Sequence, residues 1–161
     1  MNEIKKLPDQ FDLKELLTID QVRANIAVED WEEAADIIGE LLVEAEKVEP
    51  EYVEKMKQAL DDMGPYMVVA PGVALLHARP EDGVLEPCVA LITLEEPVEF
   101  GHEENDPVDI VFAFGATDKE SHIPALKTLA KQLKSKDVIK AIRSAQTDEN
   151  LHEAFLTTHD E

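Results

Sequence analysis

The chain has one cysteine, one tryptophan, three arginines and no long apolar run. Cys88 alone cannot form an internal disulfide, and such usage fits a reducing cytoplasm. The longest apolar stretches, Met67 to Ala70 and Val73 to Leu76, are broken by Pro71-Gly72 and fall far short of the roughly twenty residues that span a bilayer. The lysines near the N-terminus are not followed by an apolar region, so no signal peptide is expected and the chain reads as cytoplasmic. Basic residues are scarce: 36 acidic side chains against 15 basic ones leave a formal charge of −21. That charge repels phosphate backbones and anionic lipid, which argues against nucleic acid and membrane surfaces as partners. An anionic ligand must therefore be received by a local positive site. Internal repeats, low-complexity linkers, a glycine-rich phosphate loop, a Gly-x-Ser-x-Gly elbow and zinc-type Cys/His spacing are all missing.

At 161 residues and 44% hydrophobic content, the expectation is a single domain over 1–161, with its core at about 13–156. Phe11 to Leu17 suggests a short helix, and Val22 to Val28 an edge strand. Asp30 has the pattern of an N-cap with Glu33 as its capping-box partner, ahead of Ala34, Ala35, Ile37, Ile38, Leu41, Leu42 and Ala45 at helical spacing. Pro50 opens a second helix with Val53, Met56, Leu60 and Met63 inward, and Gly64-Pro65 ends it.

Beyond Gly64 the period changes. Runs at Met67 to Ala70, Val73 to Leu76, Cys88 to Leu94 and Val108 to Ala116 read as strands separated by proline and glycine. Two of them lack polar alternation, which requires cover on both faces. Ile123 to Leu133, Val138 to Ala145 and Leu151 to Leu156 supply helices. The fold class is α/β, bordering on α+β, in three layers around a mixed sheet of about five strands.

Candidate chemistry gathers at two histidines. His77 closes an apolar strand, and Arg79 follows at the spacing that shares a strand face if the strand continues past Ala78. A neutral imidazole offers a lone pair to phosphorus, and a guanidinium can hold the oxygens. His122 follows a strand and opens a helix. With Ser121 as N-cap, Pro124 falls in the first turn, and the free N–H groups there favour an anion. Cys88 reads as a small core residue. Gly101-His102-Glu103-Glu104-Asn105-Asp106 reads as an acidic turn rather than a metal site, and His152 and His159 as surface residues.

Gly72-Val73-Ala74-Leu75-Leu76-His77, followed later by Ser121-His122, resembles the two-histidine pattern of mannitol/fructose-type enzyme IIA domains of the bacterial sugar phosphotransferase system. Gly64-Pro65-Tyr66, Ala70-Pro71-Gly72, His77-Ala78-Arg79-Pro80-Glu81 and Asn105-Asp106-Pro107-Val108-Asp109-Ile110 are most similar to the ascorbate-specific branch. The resemblance runs from about Leu13 to Phe155. One departure stands beside the site: Leu76 occupies the place where many members have proline, which frees φ and restores an N–H.

The resemblance implies a phosphoryl relay. His77 would accept a phosphoryl group from phospho-HPr and pass it to a cysteine of a separate enzyme IIB, associated with a membrane enzyme IIC. His122 would orient and stabilise the phosphoryl group and Arg79 would balance its charge, with no cofactor and no metal. The transported sugar would be L-ascorbate or a relative. The alternative is a regulatory IIA-like module whose phosphorylation is a signal.

Overall fold

Cys88 to Leu94 is buried at every position, and between Val108 and Gly115 all residues but Asp109 are buried. These runs form the two central strands. In a computed structural model, the backbone is described for residues 16–63, 67–133 and 135–158; side chains at 63, 119, 121, 122, 125, 132 and 156–158 lie outside that description. Among the described residues five strands make one sheet: β1 (Val22–Ile26), β2 (Val68–Ala70), β3 (Val73–His77), β4 (Cys88–Val98) and β5 (Val108–Gly115). Their order is β1-β4-β5-β3-β2. β1 runs parallel to β4 and β3 parallel to β5, whereas β4–β5 and β2–β3 are antiparallel. The sheet is mixed, with β1 at one edge as the sequence suggests.

Alternation along these strands divides the core in two. Ala74, Leu76, Cys88, Ala90, Ile92, Val111 and Ala113 face one cluster; Val73, Leu75, Val89, Leu91, Ile110, Phe112 and Phe114 face the other. Helices α1 (Trp31–Glu44) and α2 (Pro50–Met63) cover the first through Ile38, Leu42, Tyr52, Met56 and Leu60. Helices α3 (Lys119–Gln132), α4 (Lys136–Ser144) and α5 (Asp148–Thr158) cover the second through Leu129, Val138, Ile142, Leu151 and Phe155. This is the three-layer arrangement expected from the unalternating strands. The short helix expected at Phe11 to Leu17 falls mostly outside the described residues, as does the Gly64-Pro65 stop of α2.

Asp30 caps α1, its Oδ1 accepting from the Glu33 amide at 2.9 Å. The reciprocal arm is displaced by one residue: Glu33 Oε1 accepts from the Glu29 amide at 2.8 Å, so the box closes on the residue before the cap. On α2 the inward face also differs from expectation. Tyr52 is fully buried, whereas Val53 is only partly covered. Gly39 of α1 lies against Val53, and an added Cβ would sit 2.7 Å from both Val53 Cγ atoms, so the two helices approach at a glycine.

Candidate functional site

His77 is the last residue of β3, in register with Phe114 of β5, with no slip between Val73 and His77. Among the described residues β2 pairs with Val73 and Ala74, and none forms a strand along the far edge of β3 beside the histidine. A cleft of about 550 Å³ occupies that edge. It is lined by His77, Ala78, Arg79 and Asp82 from the end of β3 and the turn beyond it, and by Lys55, Gln58, Ala59 and Asp62 from α2. The helical contribution follows from spacing, since positions i, i+3, i+4 and i+7 share one helix face.

The half-buried imidazole packs edge-on to Phe114, with ring centroids 6.5 Å apart at 65°. Its Nδ1 lies 3.2 Å from the Leu75 carbonyl oxygen. A carbonyl oxygen only accepts, so this contact assigns the proton of the neutral ring to Nδ1 and the lone pair to Nε2.

Arg79 reaches the same cleft by a different route from the one expected. The β3 ladder ends at His77, and Arg79 instead caps a 3-10 turn at Pro80–Asp82, its amide donating to Asp82 Oδ2 at 3.0 Å. Proline at the first position of that turn favours its φ and cannot extend the ladder. The guanidinium is 78% exposed and only loosely paired with Glu81, at 3.9 Å, so it retains freedom to move towards an anion.

The two histidines belong to neighbouring chain ends. β3 and β5 are parallel, so Gly115 ends at the same side of the sheet as His77, and α3 begins four residues later. The helix start corrects the capping expectation. Lys119 is already helical, which makes Ser121 the third residue rather than the N-cap and places Pro124 inside the helix. The physical reason is that Asp118, a residue type as effective at an N-cap as serine, stands just before Lys119. His122 belongs to α3 by its backbone; its side chain lies outside the described residues.

Three other polar sites are settled by their partners. Burial pushes the Cys88 thiol up to about 12, so it is an inert core group. In the 101–106 turn, the Asp106 carboxylate accepts from the Phe100, Gly101 and His102 amides, while His102 Nδ1 accepts from those of Glu104 and Asn105 at 3.1 and 2.9 Å. Among the described residues no cluster of three or more histidine, cysteine or carboxylate side chains could hold a metal ion. His152 is not the surface residue expected: it is half-buried, and its Nε2 lies 2.8 Å from the Leu17 carbonyl oxygen, tying α5 to the chain ahead of β1. His159 lies outside the described residues.

Sequence reasoning passed over Tyr52, Lys55 and Gln58. The last two had a usable signal, because Lys55, Gln58 and Ala59 share one helix face by their spacing. Tyr52 is buried from α2, and its hydroxyl accepts from the Ala78 amide at 3.0 Å and donates to the Phe114 carbonyl at 2.8 Å. Burial holds its phenol well above the usual tyrosine range. Among the described residues no helix is long and apolar enough to cross a membrane.

Residues 15–157 match the family described as "Phosphoenolpyruvate-dependent sugar phosphotransferase system, EIIA 2". The "Ascorbate-specific PTS system EIIA component" of Shigella boydii is 40% identical over 129 residues, which is 78% of this chain and 84% of that protein. The protein of that name from Escherichia coli K12 is 39% identical over the same shares. The fold matches the solution structure of the mannitol-specific cryptic phosphotransferase enzyme IIA CmtB from Escherichia coli, with a TM-score of 0.79, 28% identity and coverage of 89% of this chain and 97% of that one. It also matches the Escherichia coli complex of enzyme IIA Mtl with phosphorylated enzyme IIB Mtl, with a TM-score of 0.75, 26% identity and coverage of 88% and 99%.

Proposed function

Because the chain belongs to the EIIA 2 family of the phosphoenolpyruvate-dependent sugar phosphotransferase system and is an enzyme IIA component of it, we propose that it carries the phosphoryl group on His77. The observation that carries this reading is the fixed imidazole. With Nδ1–H directed to the Leu75 carbonyl, Nε2 holds the lone pair at the end of a strand, in a cleft that also contains Arg79, Lys55 and Gln58.

The chemistry is two in-line displacements. In the first, Nε2 of His77 attacks the phosphorus of the donor, the phosphohistidine of HPr. A new N–P bond forms as the donor's N–P bond breaks, and the electron pair returns to the donor's imidazole. In the second, a thiolate of a separate enzyme IIB attacks the same phosphorus, and the pair returns to Nε2. No bond order is lost in either step, so catalysis is a matter of position and charge. The phosphoryl group brings about −1.5 to −2 of charge into a protein already at −21, and Arg79 with Lys55 can receive it. Protonated Nδ1 stays bonded to Leu75 throughout, which holds the ring plane against rotation. His122, on the helix that starts at the same sheet end, is assigned to orienting the phosphoryl oxygens.

The relatives at 40% identity, which carry the name ascorbate-specific, support L-ascorbate as the sugar that the associated enzyme IIC carries. Incubation with phosphoenolpyruvate, enzyme I and HPr should place an acid-labile, base-stable phosphate on the wild type and none on His77→Ala. An unlabelled wild type would sink the relay. Adding the cognate IIB should discharge the phosphate, whereas a stable label would mark a signalling module. His122→Ala should slow that discharge about tenfold or more with the fold intact.

A further inference from the structure

The β3–β5 ladder stops at the pair His77 and Phe114. In a parallel ladder the next slanted rung would join the Ala78 amide to the Phe114 carbonyl. The phenol oxygen of Tyr52 stands between the two groups, accepting from Ala78 at 3.0 Å and donating to Phe114 at 2.8 Å. A side chain from another layer thus ties the two strands together immediately after the histidine.

We infer that Tyr52 is a positioning residue for His77: its hydroxyl ties the Ala78 amide to the Phe114 carbonyl at the end of the β3–β5 ladder and so fixes where the imidazole is held. Three further observations support it. Tyr52 and Ala78 are buried, at 0% and 7% exposure, so the bridge is shielded from competing solvent. Gly83, with φ at +130°, brings the far end of the 77–83 segment against the same residue; an added Cβ there would lie 3.4 Å from Tyr52 Cβ. The Tyr52 and Glu49 amides complete the clamp, the first donating to the Glu49 carbonyl and the second to the Gly83 carbonyl at 2.7 Å. One aromatic residue thus holds both ends of the segment that carries His77 and Arg79. The inference rests on the proposed role of His77, and it names how that site is kept in place.

Tyr52→Phe removes one oxygen and keeps the ring. Phosphoryl acceptance from phospho-HPr should fall about tenfold, and the imidazole 15N shifts of His77 should move. Leu42→Val, a core truncation in α1 away from the cleft, is the stability control and should accept at the wild-type rate. A folded Tyr52→Phe within twofold of wild type and with unmoved His77 shifts overturns the inference, as does a Leu42→Val that slows equally. If wild type is not labelled at all, the relay reading fails, and the 15N shifts still decide the positioning role. Should Tyr52→Phe not fold, the wild type supplies the test: the Ala78 amide should exchange with solvent as slowly as the β3 ladder amides, and loop-like exchange refutes the bridge.

Discussion

Alkaline pH should destabilise this protein through two core groups, and at pH 10.5 Cys88 contributes more. Its thiol is raised from 9.0 to about 12 by burial, so between those values the unfolded chain releases a proton that the folded chain keeps. The sign follows from the direction of the shift. A folded-state pKa above the unfolded one gives stability that is complete below pH 9 and is lost as pH rises towards 12. At pH 10.5 the loss from Cys88 is about 2 kcal/mol, from 1.36 kcal/mol per pH unit. Tyr52, also held high by burial, adds under about 1 kcal/mol at that pH, because its unfolded value is 10.0. Against a typical total of about 5–15 kcal/mol, the combined effect is measurable. Urea unfolding at pH 8 and pH 10.5, on wild type and Cys88→Ala, isolates the thiol. The variant pays a cavity cost at both pH values, but its loss between them should be smaller by about 2 kcal/mol. Equal losses in the two proteins would refute the reasoning. A thiol reagent at pH 8 should likewise leave Cys88 unmodified until urea unfolds the chain.

Gly72 has φ at +77°, and an added Cβ would meet the Arg143 guanidinium and lie 2.9 Å from Asp109 Oδ1, so Gly72→Ala should cost about 1–3 kcal/mol in urea unfolding. The Arg143–Asp109 pair, with two contacts of 2.7 Å, should be displaced in the same variant. Gly39→Ala sets two effects against each other: helix propensity gains about 1 kcal/mol, but the stiff Val53 side chain at 2.7 Å costs about 1–3 kcal/mol, so the midpoint should fall or stay level and never rise. Arg79→Ala should leave the urea midpoint within about 0.5 kcal/mol of wild type, the side chain being 78% exposed, while slowing phosphoryl acceptance; unchanged acceptance would remove the guanidinium from the site.

What the sequence made legible is what depends on near neighbours. Unalternating runs around Leu91 and Phe112 required cover on both sides, and Asp30 with Glu33 announced the start of α1. The errors came where the answer lay far along the chain. His152 looked like surface because its neighbours are acidic, yet its partner is Leu17, 135 positions away. Tyr52 looked like one more residue of an acidic helix, and its purpose is visible only once Ala78 and Phe114, 26 and 62 positions away, are in place. At Ser121 the serine pattern pointed to a cap, but the helix already begins at Lys119, behind an aspartate of equal capping type.

Leu76 joins these two kinds of evidence. A proline at this position would fix φ beside the histidine by its ring, and the leucine removes that restraint. In this chain the restraint has other sources. Leu76 is fully buried and pairs with Ala113, and the register passes through it unbroken to His77 and Phe114. One residue further on, the Tyr52 hydroxyl takes hold of the Ala78 amide. The backbone on both sides of His77 is therefore held by a ladder rung and a phenol, and the departure at Leu76 leaves the imidazole fixed without a proline to fix it.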